Sequence, residues 1–377
     1  MSSSTQQIVI QQCRVERSGS LCRATAQVNG VELWFESPDA ELSASPEAFA
    51  SALLIPALDQ QSRLVLDQPL DPLWRGNVES ICERLHEWWG YAKTPPIDAP
   101  IGSAVSSAAR HDVAAQCFSG GCDSFYSLLR GGHNTQSLVL VHGFDISHFD
   151  RRRFEHARRS ASAVAAATGK RLIVVRTNLR KHRTFSASNW ERTHGGALAA
   201  IGHLLSPVFQ RLVIPSSYTY DDPNPWGSHW QIDPLWTSSR MEIFYDDASL
   251  YRLNKLQRMA SEPLVREHLR VCYENSSATG NCSRCDKCVR TMLQLEALGE
   301  RQNYSVFDRR TPLVAILDSH GVVPDWLAPR YEALIAQGLA PDLVAAIRRM
   351  LARTKPPRAV WWRGVIRKVR SNVARWS

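Results

Sequence analysis

Several features that would assign the chain to a special class are missing from its sequence. No apolar run approaches the ~18–20 residues that cross a bilayer. The first seven residues are polar and lack the basic and apolar regions of a secretory signal. There is no internal repeat, and 44% hydrophobic with 21% charged residues is typical of a globular protein. We therefore expect a cytoplasmic protein with one large domain and an accessory part.

The net charge of +9 is concentrated at one end of the chain. Residues 355–377 carry seven basic and no acidic side chains, so the remainder is nearly balanced and predicts no broad basic face. This segment also contains tryptophan and could lie on an anionic membrane surface or contact RNA. A solvated or self-packed terminus is the favoured interpretation.

Strand and helix patterns change along the chain. The first third combines strands, including the hairpin signal Asn29-Gly30, with two helical patterns. After a proline-rich stretch, short apolar strands alternate with helices, which predicts an α/β fold with a doubly wound parallel sheet. Ligands of such sheets lie beyond the carboxyl ends of the strands. The predicted parts are an N-terminal α+β domain (1–93), a linker (94–110), a catalytic domain (111–300), a helical segment (301–354) and a basic tail (355–377).

A glycine-containing turn follows the first strand of the alternating region. Adjacent glycines let the backbone approach a ligand, and the helix that follows directs its positive end to the same place. The turn therefore predicts an anion site, although no lysine follows the glycines as in the common phosphate loop. Cys122 within it is either a small filler, which we favour, or an activated nucleophile. The residues of the turn are Phe118, Ser119, Gly120, Gly121, Cys122, Asp123 and Ser124.

Four of the nine cysteines form a second motif, with two successive CxxC steps. Two residues between ligands let neighbouring sulfurs face one ion, and four thiolates close a tetrahedral zinc shell. The other five cysteines show no paired framework, which fits a reducing compartment. Lys287, Arg284 and Arg290 could offset the charge of the thiolates. The predicted ligands are Cys272, Cys282, Cys285 and Cys288.

The turn, SGGxDS between a strand and a helix, resembles the PP-loop of the ATP pyrophosphatases. The cysteine spacing behind it, with Tyr273 and Arg290, resembles the 7-cyano-7-deazaguanine synthase family of queuosine precursor synthesis. This resemblance covers about residues 113–298. It implies cleavage of ATP, with Mg²⁺, to AMP and pyrophosphate, and transfer of ammonia to a small-molecule carboxylate to form an amide or nitrile. Zinc is the metal of this branch, and an iron–sulfur cluster, which some other PP-loop proteins carry, is its main rival.

The resemblance and the positions of the loops give the candidate residues. The loop Gly143-Phe144-Asp145 resembles its counterpart in the family. Three other stretches depart from the family and should line the ligand crevice by position, which suggests a different carboxylate. Among them, Glu191 could position ammonia or substrate, and Asp233 could bind a cationic group. We expect catalytic roles for Asp123, Ser124, Asp145 and His194, and nucleotide contacts from the turn together with Thr177 and Asn178.

Two alternatives remain open at this point. One is a tRNA-modifying enzyme of the thiolation type, which usually needs redox-active cysteines besides those held by metal. The other is a nucleotide-binding regulatory protein that has lost turnover, against which the intact SGGxDS pattern counts. The N-terminal part could shape the substrate entrance or form a homodimer contact.

Overall fold

A large mixed sheet and its covering helices can be described for most of the chain. The computed structural model describes residues 6–103, 113–222, 224–277 and 280–353. The strands are β1 (Gln7–Ser18), β2 (Leu21–Val28), β3 (Val31–Ser37), β4 (Arg63–Leu66), β5 (Ile97–Asp98), β6 (Ala114–Cys117), β7 (Thr135–His142), β8 (Arg171–Thr177), β9 (Arg211–Ile214) and β10 (Glu242–Tyr245). The helices are α1 (Pro46–Asp59), α2 (Pro72–Trp89), α3 (Cys122–Arg130), α4 (Arg151–Ala167), α5 (Arg183–Ser186), α6 (Trp190–Leu204), α7 (Arg252–Met259), α8 (Pro263–His268), α9 (Asp286–Ala297), α10 (Leu313–Ser319), α11 (Ala328–Ile335) and α12 (Pro341–Leu351).

Five parallel strands confirm the predicted α/β class. They lie in the order β8, β7, β6, β9, β10, so the chain moves outward in one direction and then returns to the other side of β6. The order therefore reverses between β6 and β9. In open α/β sheets, ligands bind outside the carboxyl ends of the strands at such a reversal. The turn after β6 lies at this position.

The N-terminal strands extend the same sheet, whereas the sequence predicts a separate domain at 1–93. Strand β3 pairs antiparallel with β8, and β2, β1, β4 and β5 follow in that order to give ten strands. The pairing satisfies the backbone groups that the edge of β8 would otherwise expose. Periodicity within each segment reports its strands, but it carries no information on which strand pairs with which. The described residues 94–103 lie within the same unit, and 104–110 lie outside the described residues.

Local sequence explains where the main helices begin and end. In α2, the Asp71 carboxylate accepts hydrogen bonds from the N–H groups of Leu73 and Trp74, Pro72 takes the first position, and Gly90 ends the helix at φ 72°. Helix α1 is buried from its second residue to Leu58 and packs on α6 and β4. An all-round apolar helix of this kind belongs inside a core, which is where α1 lies.

The chain divides into two compact units, Met1–Asn281 and Cys282–Ser377. The first contains the whole sheet with α1 to α8, and the second contains α9 to α12. In the described part of the second unit, α9 packs on α10 and α11, and α10 packs on α12. The predicted membrane or RNA contact of the basic tail, 355–377, falls outside the described residues. No helix within them has the length and apolarity to cross a membrane.

Candidate functional site

The turn between β6 and α3 has the conformation that its glycines allow. Gly120 adopts φ 75°, which is strained for a residue with a side chain, and its carbonyl oxygen accepts a hydrogen bond from the Arg270 N–H at 2.7 Å. The Ser124 hydroxyl donates to the Gly121 carbonyl at 3.0 Å. Helix α3 starts at Cys122, so its first N–H groups face the turn. This is the arrangement that binds anions at helix N-termini.

Two cationic side chains of α7, a helix much later in the sequence, contact Asp123 in the turn. Its carboxylate lies 3.2 Å from the Arg252 guanidinium and 3.3 Å from the Lys255 ammonium. Lys255 is only 1% exposed, and it also donates to the Ser216 carbonyl at 2.6 Å and to the Ser216 hydroxyl at 2.8 Å. Ser216 follows β9, so the cluster bridges the two strands between which the order reverses. Arg252 and Lys255 are not among the residues predicted from the sequence, and their spacing of three residues on α7 is the one signal that could have indicated them.

The predicted nucleotide contacts Thr177 and Asn178 have structural partners. The Asn178 amide accepts the Trp34 N–H at 3.0 Å and donates to the Glu32 carbonyl at 2.9 Å. Thr177 is 0% exposed, and its hydroxyl accepts the Leu179 N–H at 3.0 Å. Asn178 thus fixes the end of β8 to β3, and Thr177 holds the turn that follows β8. Their position at the carboxyl edge is as predicted, but their side chains are engaged within the fold.

The loop after β7 brings Asp145 to the same edge of the sheet. The carboxylate is on an exposed residue, whereas its backbone carbonyl accepts a hydrogen bond from the Asn275 amide at 2.8 Å. Gly143 precedes it at φ 123°, and a Cβ there would overlap the Thr177 carbonyl oxygen. Arg180 is partly buried, which lowers its pKa, while the charge of Asp145 raises it. Asp145 therefore faces solvent beside a guanidinium.

Aromatic rings cross the carboxyl edge from the loop after β9 to the loop after β7. Their centroids are 5.7 Å apart for Tyr218 and Trp226, 5.6 Å for Trp226 and His194, 5.9 Å for His194 and Trp190, and 5.1 Å for Trp190 and Phe144. His194 Nδ1 donates to the Trp190 carbonyl at 3.1 Å. The predicted residue His194 thus belongs to a row of aromatic rings, here called the aromatic wall, at the carboxyl edge of the sheet. Such a wall suits a small organic substrate.

A buried carboxyl group fixes the loop that carries Trp226. Asp233 is 0% exposed and accepts hydrogen bonds from the Ser228 hydroxyl at 2.6 Å and the His229 N–H at 3.1 Å. Burial raises the pKa of Asp233 to about 7. Because its partners lie in its own loop, it holds this loop rather than facing solvent as a cation site. The exposed Glu191 accepts the Gly227 N–H through its backbone carbonyl at 2.8 Å.

Four cysteine sulfurs lie close enough together to hold a metal. The Sγ atoms of Cys272, Cys282, Cys285 and Cys288 are all within 4.8 Å of one another. Sulfurs bound to one zinc at ~2.3 Å stand roughly 3.8 Å apart at tetrahedral angles, and those of Cys282 and Cys288 are 4.0 Å apart. Cys282 Sγ accepts hydrogen bonds from the N–H groups of Arg284 at 3.4 Å and Cys285 at 3.2 Å. The donor set fits a thiophilic metal.

Four of the five thiols outside this group have raised pKa values. Burial raises the pKa of Cys13, Cys82, Cys117 and Cys122 to about 12. The nucleophile is the thiolate, so a raised pKa disfavours reaction of these four thiols at neutral pH. Cys122 in the turn is 0% exposed, and its Sγ lies 3.7 Å from the Arg252 carbonyl oxygen. This environment agrees with the interpretation of Cys122 as a filler.

Comparisons of the chain with family models, curated proteins and solved structures give no match. The function must therefore be argued from the residues. What the described residues bring together is an α/β fold with a large, mostly parallel sheet and a four-cysteine group that could hold a metal. The carboxyl edge of this sheet also carries the turn at the reversal of strand order and the aromatic wall. Arg252 and Lys255 contact this turn at Asp123.

Proposed function

We propose that the chain is a PP-loop enzyme that binds ATP at Ser119–Ser124 and releases pyrophosphate. One observation carries the proposal: Asp123, Arg252 and Lys255 converge on a positive-φ glycine turn at the reversal of strand order. Backbone N–H groups and the end of α3 would hold the phosphates. Lys255 and Arg252 would exchange the Asp123 carboxylate for phosphate oxygens. They supply the charge that a loop lysine provides in other phosphate sites.

The proposed reaction activates a carboxylate. A free carboxylate is a poor acyl donor, so its oxygen attacks the α-phosphorus of ATP, and the bond to the bridging oxygen of pyrophosphate breaks. Ammonia then attacks the acyl carbon, and AMP leaves with the former carboxylate oxygen to give an amide. A second activation of the amide oxygen would give a nitrile. Mg²⁺ accompanies ATP, and Asp123 and Asp145 are the carboxylates at this edge that could hold it.

Substrate and ammonia would lie against the aromatic wall. His194 stands in its centre, in the first two turns of α6, and its ring packs against Trp190 and Trp226. This packs the imidazole against two indole rings. We assign His194 to orienting the acid or the incoming ammonia. A wall of this composition would also exclude water from an acyl adenylate, which water would otherwise hydrolyse.

Zinc is the metal that we propose for the four cysteines. Four thiolates form a closed structural shell, with no open position for catalysis. The raised thiol pKa values at four other cysteines give no support to sulfur transfer, which needs a thiolate. Elemental analysis should find one zinc per chain and no visible absorption band. Iron with absorbance at about 400 nm would instead favour a cluster and the tRNA thiolation alternative.

ATP binding and pyrophosphate release test the enzyme proposal. Calorimetric titration with ATP and Mg²⁺ should give saturable binding that inorganic pyrophosphate competes with. Incubation with ATP, ammonium and a panel of small carboxylic acids should release AMP and pyrophosphate in equal amounts. Asp123→Ala should abolish the release. Absence of binding by either nucleotide or pyrophosphate would refute the site, and binding without release for every acid would favour the regulatory alternative.

A further inference from the structure

A buried carboxylate lies within the cysteine motif of the second unit. Asp286 is the first residue of α9, between Cys285, which precedes the helix, and Cys288 in its first turn. Asp286 is only 9% exposed. Burying a charged carboxylate costs free energy unless it is paired and hydrogen-bonded. Its burial at this position therefore requires compensating partners.

Two side chains of the same unit neutralise and orient this carboxylate. Arg290, one turn later on α9, donates to Asp286 Oδ2 from Nε at 2.9 Å and from Nη2 at 2.5 Å. Tyr331 on α11 donates its hydroxyl to Asp286 Oδ1 at 2.8 Å. Tyr331 is 0% exposed, and the Arg290 side chain is 13% exposed. Both oxygens of the carboxylate thus have buried donors, and their direction is fixed.

We propose that Asp286, Arg290 and Tyr331 form a carboxylate clamp that positions Cys285 and Cys288 for the metal. The clamp ties the first turn of α9, which carries these cysteines, both to its own second turn and to α11. It would set the direction of the thiolates before the metal binds, and its charges cancel locally. All three are positioning residues and none is a ligand. In metal sites generally, residues that hydrogen-bond to the ligands orient them, and the clamp would have a comparable role.

The clamp changes the interpretation of the nearby arginines. The sequence suggested that Arg284 and Arg290 offset the thiolate charge. In the structure, Arg290 pairs with Asp286, and Arg284 lies 3.5 Å from Asp308. The Asp308 carboxylate accepts hydrogen bonds from the Thr311 side chain and from backbone N–H groups, which lower its pKa. The Cys282 sulfur itself accepts hydrogen bonds from the backbone N–H groups of Arg284 and Cys285.

Metal release from Tyr331→Phe tests the clamp. The substitution removes one hydroxyl and keeps the ring, so the fold should persist while Asp286 Oδ1 loses its donor. We expect zinc to transfer to a colorimetric chelator about 10-fold faster than from the wild type, in line with the effect of lost outer-shell partners. The Co²⁺-loaded variant should also show shifted visible bands, because the sulfur geometry changes. A merely structural role for Tyr331 would lower thermal stability and leave these bands unmoved.

Tyr304→Phe is the matched control, because Tyr304 is an equally buried tyrosine of the same unit. It should release zinc at the wild-type rate with unchanged Co²⁺ bands. Equal release from Tyr331→Phe, Tyr304→Phe and wild type would overturn the clamp. A wild-type protein that binds neither zinc nor Co²⁺ would overturn it together with the metal assignment. Neither result would affect the ATP proposal, which pyrophosphate release tests separately.

Discussion

Lys255→Met is expected to lower kcat/KM for ATP-dependent pyrophosphate release by about 100-fold or more, as loss of one preorganised charged donor does in other enzymes. The Lys255 ammonium is buried, is held by Ser216 and reaches Asp123 at 3.3 Å. In our proposal it meets the pyrophosphate as negative charge develops on it. Methionine keeps the length and the apolar packing of the stem but removes the charge. Initial rates over a range of ATP concentrations measure the effect.

Lys170→Met is the control for loss of a lysine. Lys170 donates to the Thr135 carbonyl at 2.6 Å, at the start of β7 and therefore at the opposite edge of the sheet. It should keep the wild-type rate. Wild-type turnover in Lys255→Met, with circular dichroism showing both variants folded, would remove α7 from the phosphate site. A loss in both variants would point to general destabilisation.

The parts of the site that could be predicted are those whose signals are adjacent in sequence. The strand before the turn, its glycines and the following helix lie within 114–130, and the structure has all three. The two CxxC steps are local in the same way, and the four sulfurs do come together. Short loops leave few ways to arrange such neighbours. For these segments, backbone geometry and ligand spacing were sufficient.

The contacts that could not be predicted join distant segments. Arg252 lies 129 positions after Asp123, and helical periodicity on α7 identifies an exposed and a buried face without naming the partner. The pairing of β3 with β8 could not be predicted either. The sequence pattern of a strand is the same whether the strand lies at the edge of a sheet or within it. Asn178 illustrates the consequence. Its position predicted a ligand contact, but the neighbouring strand uses its amide.

Gly195→Ala is expected to destabilise the first unit by about 3 kcal/mol or more, at the upper end for overpacking. Gly195 lies in α6, where helix propensity alone would make alanine the better residue. However, a Cβ there would overlap the Gly227 carbonyl oxygen, closer than real Cβ atoms approach, and would lie 3.1 Å from Asp233 Oδ1. Gly227 cannot retreat freely, because a Cβ built on it would itself overlap the backbone of residues 191 and 192, and its N–H donates to the Glu191 carbonyl at 2.8 Å. The loop that carries Trp226 would have to leave α6. Urea unfolding measures the change.

Gly76→Ala is expected to change the free energy of unfolding in the opposite direction. Gly76 lies in α2, and a Cβ there would meet nothing within 4 Å. Alanine should therefore raise the free energy of unfolding by roughly 0.5–1 kcal/mol, because it restricts the unfolded chain and favours the helix. The two variants make the same chemical change in two helices, so their difference isolates the contact between α6 and the loop. If both stabilise the protein, the close approach of Gly195 and Gly227 is wrong, and the aromatic wall that depends on that loop loses its support.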